Sequence, residues 1–358
     1  MSPDHQADVP PAAHPMPTGP VQVISAIDPI LRDAAIGDLL LDIPGCAALR
    51  YEIDVRSARL RRVVMTTAGV LEDQFVELDH PCVSCAMRED AVLVLAHLAT
   101  RPDIHAIALA PPISAEPAVV VSTLLSHQDG WHLSGVLTVL SVVALLEDLL
   151  GEDTLAGRGL QWAAEDERGV GEALAAQIEY ADLLLVDRAA DGVTDPTADA
   201  ALADAAGREL LEHFRAPEQQ VIDGLQSLEG SRTFIGTLDH EAGARRRDPR
   251  HVTAGHGPSI YGTWTVDLSS PRPFHPERFL DNIELLGGGP VRGRGRFWVP
   301  DRPGTICHWD GADGQVTIGP RLDADGHPPS THLVITGIRP EDAVRVREAF
   351  AGSSQLRG

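Results

Sequence analysis

The sequence predicts an α/β protein with a mostly parallel sheet that carries helices on both faces, followed by a smaller α+β domain. Short apolar runs typical of buried parallel strands alternate with helix-spaced segments as far as residue 214, which is the pattern of βαβ units. Beyond residue 232 the strands alternate apolar and polar residues, which indicates an antiparallel sheet. A chain of 358 residues is long enough for both domains to have a core.

The elements of the first domain follow from these periodicities. Strands are predicted at residues 21–25, 47–55, 59–67, 104–110, 133–140 and 183–186. Helices are predicted at 31–41, 91–100, 116–125, 142–150 and 198–214, with one more of about 12 residues between 165 and 182.

The second domain has strands predicted at 261–268, 293–299, 316–318 and 332–338, and helices at 276–286 and 339–350. The charge run Arg245 to Arg247 is predicted to lie in a loop. We predict a disordered leader at 1–20, the first domain at 21–215, a linker at 216–232, the second domain at 233–352 and a tail at 353–358.

Composition excludes several classes of protein. The longest apolar run, around residues 136–150, is interrupted by polar residues and is shorter than the roughly 20 residues of a membrane-spanning helix. The first 20 residues contain no basic region and no apolar block, so no secretory signal is predicted. Four cysteines do not form a disulfide framework in a chain of this length. We therefore expect a protein of the reducing cytoplasm, without a membrane anchor.

The charge of the chain is strongly negative. Aspartate and glutamate outnumber arginine by 52 to 29, the formal net charge is -23, and there is no lysine. Such a surface repels nucleic acid, so DNA is not an expected partner. A mechanism that needs a lysine ammonium group on a phosphate is excluded as well.

A cysteine pair marks the most informative stretch, residues 77–90, which has the sequence ELDHPCVSCAMRED. Cys82 and Cys85 have the C-x-x-C spacing that turns two thiolates onto one tetrahedral metal ion, and a helix is predicted to begin directly afterwards. His80 and Glu77 are candidates for a third ligand. The stretch favours a zinc site with an incomplete ligand set, or alternatively two buried small side chains that only shape the fold.

The turn after the first predicted strand has the sequence AIDPILRD, residues 26–33. A phosphate-binding turn presents bare backbone N–H groups from glycines, together with a lysine. Here Pro29 has no N–H group, Asp33 would repel phosphate, and Arg32 supplies the sole positive charge. A normal phosphate loop is therefore not expected.

Three arginines alternate with glycines in the second domain. Arg292, Arg294 and Arg296 would point to one side of a strand. This predicts either a solvated face or a stripe for a limited contact with phosphate, with the glycines allowing another backbone to approach from the other side. A further candidate ligand pair, Cys307 and His308, has the alternative of a buried strand end next to Trp309.

Four segments in the same order resemble the CobW family. Residues 77–90 are similar to its E-L-x-N-G-C-x-C-C-x-x-R-x-D segment, and residues 166–168 together with 177–182 are similar to its single D-E-R…Q-I-E-F-A-D segment. Residues 272–278 and 294–298 are similar to its R-P-F-H-P-x-R and R-x-K-G-x-F-W segments. The resemblance spans nearly the whole chain after the leader. It implies a P-loop NTPase-like fold, a CobW C-terminal domain, and a cytoplasmic GTPase that handles metals, chiefly zinc.

The departures from the family pattern fall on the nucleotide motifs. Ala26, Pro29, Arg32 and Asp33 stand in the G-x-x-G-x-G-K-T loop, where Asp33 removes the magnesium-binding hydroxyl. The guanine motif N-K-x-D falls on residues 187–190, DRAA, and the E-T-x-G segment on residues 111–114, PPIS. In the metal motif, Ser84 replaces the middle cysteine. We expect a degenerate nucleotide site for which GTP and magnesium are unlikely cofactors.

Three functional hypotheses follow from the resemblance. The first is a zinc-binding metallochaperone that delivers metal to a recipient protein. The second is a non-catalytic adaptor of the zinc-starvation response, since an actinobacterial subgroup with a C-V-S-C-type segment recruits a ribosome hibernation factor. Such an adaptor could use the arginine stripe on ribosomal RNA. The third is an active GTP-binding protein in which Arg32 replaces the lysine.

Overall fold

The computed structural model describes residues 19–57, 59–77, 82–188, 198–255, 257, 259–302, 304–312, 314–322 and 330–354. Within these residues the chain forms two sheets, each with its own helices. The predicted fold class is confirmed: a mostly parallel sheet flanked by helices precedes a separate antiparallel sheet. Among the described residues, no helix is long and apolar enough to cross a membrane.

The first sheet has eight strands in the order β4-β3-β2-β5-β1-β6-β7-β8. Six of them are parallel, and β3 and β4 extend the sheet as an antiparallel hairpin beside β2. The strands are β1 (Gly19–Ser25), β2 (Cys46–Asp54), β3 (Arg59–Thr66), β4 (Gly69–Glu77), β5 (Ala106–Ala110), β6 (Trp131–Ser141), β7 (Leu183–Asp187) and β8 (Gln220–Asp223).

Helices cover both faces of this sheet, and the central strands β1 and β5 are therefore buried on both sides. Two separate apolar clusters lie on the two faces. The helices are α1 (Pro29–Asp42), α2 (Val83–Ala86), α3 (Val92–Ala99), α4 (Pro117–Leu125), α5 (Leu145–Leu150), α6 (Val170–Tyr180), α7 (Ala198–Phe214), α8 (Gly230–Thr233) and α9 (His240–Arg247). A π-helical segment, Met87–Ala91, joins α2 to α3 without a break.

The second sheet is antiparallel, with the order β12-β11-β10-β13-β9. Its core is aromatic: Phe274, Phe279 and Phe297 pack against one another, and Phe279 also contacts Trp309. The elements are β9 (Trp264–Ser270), α10 (Pro276–Gly287), β10 (Val291–Phe297), β11 (Thr305–Ala312), β12 (Gln315–Leu322), β13 (Thr331–Gly337) and α11 (Pro340–Ser353).

The structure corrects one predicted loop and places the second candidate ligand pair. Arg245 to Arg247 form the last turn of α9, which begins at an Asp239 side chain that accepts the N–H of Ala242. Cys307 and His308 lie inside β11 and not at a strand end.

Candidate functional site

Cys82 and Cys85 lie together at the start of the helical segment that runs from residue 83 to 99. Cys82 is the residue before α2, and its Sγ accepts the backbone N–H of Cys85 at 3.4 Å. The Ser84 Oγ lies 3.1 Å from the same sulfur. The predicted pairing of the two cysteines is thus present in the fold.

The two thiols have different acidities. Burial by itself would raise the pKa of Cys82, but hydrogen bonds from Ser84 and from the Cys85 backbone outweigh it, so the pKa lies below its ordinary value. The pKa of Cys85 is raised, first by its hydrogen bond to Cys82 and then by burial. The pair therefore carries its first negative charge on Cys82.

A buried ionic contact fixes the segment that follows the cysteines. Asp90, which is 8% exposed, accepts a 2.6 Å hydrogen bond from the Tyr51 hydroxyl and pairs with Arg62. Tyr51 and Arg62 belong to β2 and β3, so this contact ties the π-helical turn to the antiparallel edge of the sheet. The cysteines consequently lie on a backbone that is anchored on its C-terminal side.

The structure describes only one of the other two candidate metal ligands. Glu77 is the exposed last residue of β4, and His80 lies outside the described residues. Among the residues that the structure describes, no group of three or more His, Cys, Asp and Glu side chains is placed to hold a metal ion. The described part of the site is therefore a two-thiol arrangement, to which His80 remains a predicted addition.

The turn between β1 and α1 has only three residues, Ala26 to Asp28. Pro29 is the first residue of α1, so Arg32 and Asp33 are helical and do not form a loop. The Asp28 carboxylate accepts the N–H groups of Ile30 at 2.7 Å and Leu31 at 3.2 Å. These are donors that a phosphate group at this helix start would need, and the chain supplies its own anion to them.

The side chain of Arg32 is paired with two carboxylates of the chain. It is 2% exposed, lies 3.0 Å from Asp33 and 3.4 Å from Glu52, and Asp33 in turn pairs with Arg50 at 2.6 Å. This network of ion pairs joins α1 to β2. An Arg32 that replaced the missing lysine would have to leave both carboxylates.

The family segment around residues 177–182 has structural roles at both of its ends. The Gln177 side chain donates to the carbonyl groups of Ile113 at 2.9 Å and Ala26 at 3.4 Å, so it joins the turn after β1 to the segment after β5. Asp182 accepts the N–H of Val136 and pairs with Arg246 at 3.2 Å. In the guanine-motif position, Asp187 ends β7, while residues 189 and 190 lie outside the described residues.

The prediction of a solvated face for the arginine stripe is wrong for Arg292, while the predicted contact with RNA stays a prediction. Arg292 is 3% exposed and lies 2.8 Å from Glu179 on α6, which is equally buried. Arg294 lies 3.3 Å from the same carboxylate, and Arg292 also pairs with Asp310. The three arginines do share one side of β10, as predicted, but that side packs against the first domain.

Glu179, Arg292, Arg294 and Asp310 thus form a charge cluster between the domains, in which Glu179 and Arg292 are buried. Burial by itself would lower the pKa of Arg292, but the charges of Asp310 and Glu179 raise it above its ordinary value. Burial lowers the pKa of Arg294, which shares its carboxylate with Arg292. Arg296, the third member of the stripe, donates to the Arg250 carbonyl at 2.8 Å.

A cleft of about 530 Å³ opens beside this cluster, between α6, α7, α9 and β10. Arg215, Arg245, Arg246 and Glu218 line it, but neither cysteine nor any residue of the turn after β1 does. Arg215 and Arg246 are already paired with carboxylates and carbonyl groups of the chain. The cleft is therefore separate from both sites that the sequence predicted.

Sequence reasoning missed the roles of Ser84, Arg88 and Glu179. The signal for Ser84 was its position next to Cys85, and the signal for Arg88 was its position one helical turn after Cys85. Side chains at these positions of a helix can reach the cysteine sulfurs. Arg88 donates to the Cys85 Sγ at 3.7 Å. The signal for Glu179 was a carboxylate on the mostly apolar helix α6, because a carboxylate that is buried there requires a cationic partner elsewhere.

Two family models match this chain in sequence. The model of the CobW/HypB/UreG nucleotide-binding domain matches residues 52–210, and the model of the cobalamin synthesis protein cobW C-terminal domain matches residues 263–353. Together they cover well over half of the chain. The first match begins after β1, α1 and the turn between them.

The chain is also similar to curated proteins and to a solved structure. The chain is 28% identical over 297 residues to the zinc chaperone Rv0106 of Mycobacterium tuberculosis, an alignment that covers 78% of this chain and 68% of that protein. It is 24% identical over 259 residues to zinc-regulated GTPase metalloprotein activator 1 of Dictyostelium discoideum, with 68% and 53% covered. The zinc-bound YjiA GTPase from E. coli aligns at 14% identity with a TM-score of 0.37, covering 95% of this chain and 100% of that one.

Proposed function

Because this chain belongs to the CobW family, we propose that it acts as a zinc metallochaperone, which binds zinc at Cys82 and Cys85 and passes it to a recipient protein. The observation that carries the proposal is the position of the two cysteines on one anchored helical turn, where the Cys82 Sγ accepts the backbone N–H of Cys85 at 3.4 Å. Two thiolates at this spacing are the preferred soft ligands of Zn²⁺. The names of the relatives, a zinc chaperone and a zinc-regulated activator, support the choice of metal.

An incomplete ligand set suits delivery better than storage. A structural zinc site has four protein ligands, whereas a site with two or three keeps positions for water or for a ligand of the recipient. His80 and Glu77 are the proposed additional ligands from this chain. Because zinc ligands must be deprotonated, the hydrogen bonds that lower the pKa of Cys82 favour metal binding.

Zinc titration of the reduced, metal-free protein against a competing chelator tests this proposal. Cys82→Ser and Cys85→Ser are each expected to weaken zinc binding by more than about 10-fold. Removal of a residue that only supports a metal ligand already weakens metal binding by about 10-fold or more, and these substitutions remove a ligand itself. Cys307→Ser, the same substitution on β11, is the control and should bind zinc like the wild type. Equal affinity in all four proteins would refute the proposal, while His80→Ala and Glu77→Gln identify the third ligand.

We further propose that the site formed by Ala26, Pro29, Arg32 and Asp33 does not hold GTP or magnesium. The Asp28 carboxylate on the first N–H groups of α1 supports this, because a phosphate would have to displace a covalently tethered anion. The ion pairs of Arg32 add a second cost. Zinc delivery by this chain would then depend on binding equilibria and not on hydrolysis.

Isothermal titration with GTP and magnesium is expected to give no binding heat for the wild-type protein. Asp28→Ala should destabilise the start of α1 by about 0.5–2 kcal/mol without creating GTP binding, since glycines and a lysine are still missing. Thermal unfolding measures the first effect and calorimetry the second. A saturable heat with GTP in the wild-type protein would favour the active GTP-binding hypothesis instead.

The hibernation-factor adaptor stays a prediction from the resemblance. Arg292 is buried against Glu179, so it could contact ribosomal RNA only by leaving that carboxylate. A metal recipient is therefore the partner that we propose. Reduced thiols at the site also suit the reducing cytoplasm that the cysteine content predicts.

A further inference from the structure

Arginine side chains converge on the cleft between α6, α7, α9 and β10. Its lining includes four guanidinium groups and two carboxylates, from Arg215, Arg245, Arg246, Arg294, Glu179 and Glu218. Four positive charges against two negative ones leave a formal excess of two positive charges in the lining. The chain as a whole has a formal net charge of -23. The lining thus has the opposite sign of charge from the chain, which favours a negatively charged ligand in this cleft.

Two of these guanidinium groups are only partly paired with groups of the chain. Arg245 is 57% exposed and lies 4.0 Å from the Glu241 carboxylate, which is longer than a hydrogen bond. Arg294 donates from Nη1 to the Arg246 carbonyl at 3.2 Å, and the same Nη1 lies 3.3 Å from Glu179. Within the described part of the chain, the Nε and Nη2 atoms of Arg294 have no hydrogen-bond partner. Because a guanidinium group has five N–H donors, both side chains keep donors for a ligand.

The walls of the cleft are held in place by the chain itself. A Cβ atom added to Gly255 would stand 1.9 Å from the His213 carbonyl oxygen, so the segment 251–255 lies directly against the last turn of α7. On another wall, the buried Gln219 side chain donates to the carbonyl groups of Ile178 at 2.6 Å and Ala181 at 2.7 Å. The cleft is therefore formed without a ligand, as small-molecule sites usually are.

The size and the apolar lining of the cleft suit a small organic molecule. Its volume of about 530 Å³ lies within the range of about 300–1,000 Å³ that is usual for small-molecule sites. Ala216, Pro217 and Ala254 add apolar surface to the lining. The Arg294 guanidinium lies 5.5 Å from the centre of the Phe214 ring, a cation–π contact that helps to hold it at the cleft. A ligand with a carbon skeleton and a charged end group would use both kinds of surface.

We propose that this cleft binds a small organic dianion, a phosphate monoester or a dicarboxylate, through Arg245 and Arg294. The planar guanidinium fork matches the oxygen atoms of both phosphate and carboxylate groups. Arg245 belongs to α9 and Arg294 to β10, so the ligand joins the two domains. This binding activity goes beyond zinc delivery, and neither Cys82 nor Cys85 lines the cleft.

Calorimetric titration of the full-length protein with phenyl phosphate and with succinate tests the proposal. At least one of the two probes is expected to bind saturably, with one molecule per chain, when sodium chloride keeps the ionic strength constant. Bound ligand should also raise the midpoint of thermal unfolding as its concentration increases. Binding of one probe alone identifies the end group that the cleft prefers. Neither a saturable heat nor a shift of the midpoint with either probe would overturn the proposal.

Arg245→Gln is expected to weaken binding of the probe by about 10-fold or more, because it removes a charge-assisted hydrogen bond from an exposed side chain. The matched control is Arg232→Gln, which removes the same charge from an exposed pair with Glu229 on α8 and should bind like the wild type. Equal weakening in both variants would show an effect of net charge alone and would refute the site.

The other side of the site is tested by Arg294→Gln, which should weaken binding at least as much as Arg245→Gln. If this variant does not fold, Thr253→Glu takes its place, since Thr253 is exposed and lines the same cleft. A carboxylate tethered there should compete with the dianion and abolish its binding, and wild-type affinity in Thr253→Glu would contradict the proposal. Cys82→Ser should bind the probe like the wild type, so failure of the zinc proposal leaves this one standing.

Discussion

A Glu179→Ala variant is expected to lose about 3–5 kcal/mol of unfolding free energy, the usual cost of removing one partner from a buried ion pair. The reason is the charge cluster between the domains. Glu179 lies 2.8 Å from Arg292 and 3.3 Å from Arg294, and the side chains of Glu179 and Arg292 are each 3% exposed. Without the carboxylate, two guanidinium groups remain out of water with Asp310 as their remaining acidic partner in the cluster.

Removal of the Glu179 carboxylate should first weaken the contact between the domains. Glu179 is on α6 and the two arginines are on β10, so the cluster joins helices of the first sheet to the second sheet. A second connection is Glu209 of α7, which accepts the N–H groups of Ile260 and Thr263. We therefore expect Glu179→Ala to increase cleavage of the connection between the domains in limited proteolysis, at urea concentrations that leave the wild type intact.

The matched control is Glu218→Gln, because Glu218 contributes to the same cleft but is 57% exposed and lies 3.6 Å from Arg246. A pair whose carboxylate is exposed to this degree contributes less than about 1 kcal/mol. Adding Arg292→Met to Glu179→Ala should recover part of the loss, since it removes one of the uncompensated charges. Equal urea midpoints for Glu179→Ala and Glu218→Gln would show that the cluster does not stabilise the protein.

The elements predicted from the sequence were those with a one-sided or fully buried apolar pattern. Helix α7 has the predicted bounds, 198–214, because its apolar residues recur at helical spacing. Strand β4 was missed because it is an edge strand with most side chains exposed on both faces, which leaves no period-2 signal. Helix α9 was predicted as a loop because it has three arginines and little apolar surface.

Local and distant parts of the candidate sites were predictable to different degrees. Cys82 and Cys85 were identified because contacts between residues three apart follow from local geometry alone. The alternation of Arg292 and Arg294 likewise predicted that they share a side of β10. That this side faces Glu179, 113 residues away in sequence, depends on how the two domains pack, which no local pattern contains.

Gly207→Ala is expected to destabilise the protein by about 1–3 kcal/mol or more, although alanine is the better helix former. Gly207 lies in α7, and a Cβ atom added to it would stand 1.8 Å from the Val142 carbonyl oxygen. That oxygen belongs to the backbone directly after β6, so it can move only if the strand end or the whole helix shifts. The close approach of α7 to the sheet therefore requires glycine at this position.

Gly37→Ala in α1 is the matched control, because a Cβ at Gly37 would meet no atom within 4 Å. There the gain in helix propensity is unopposed, and the variant should be more stable by about 0.5–1 kcal/mol. Urea unfolding of both variants at an unchanged m-value measures the two effects. Shifts of the midpoint in opposite directions are the expected result, and shifts of the same sign would contradict the packing of α7 against Val142.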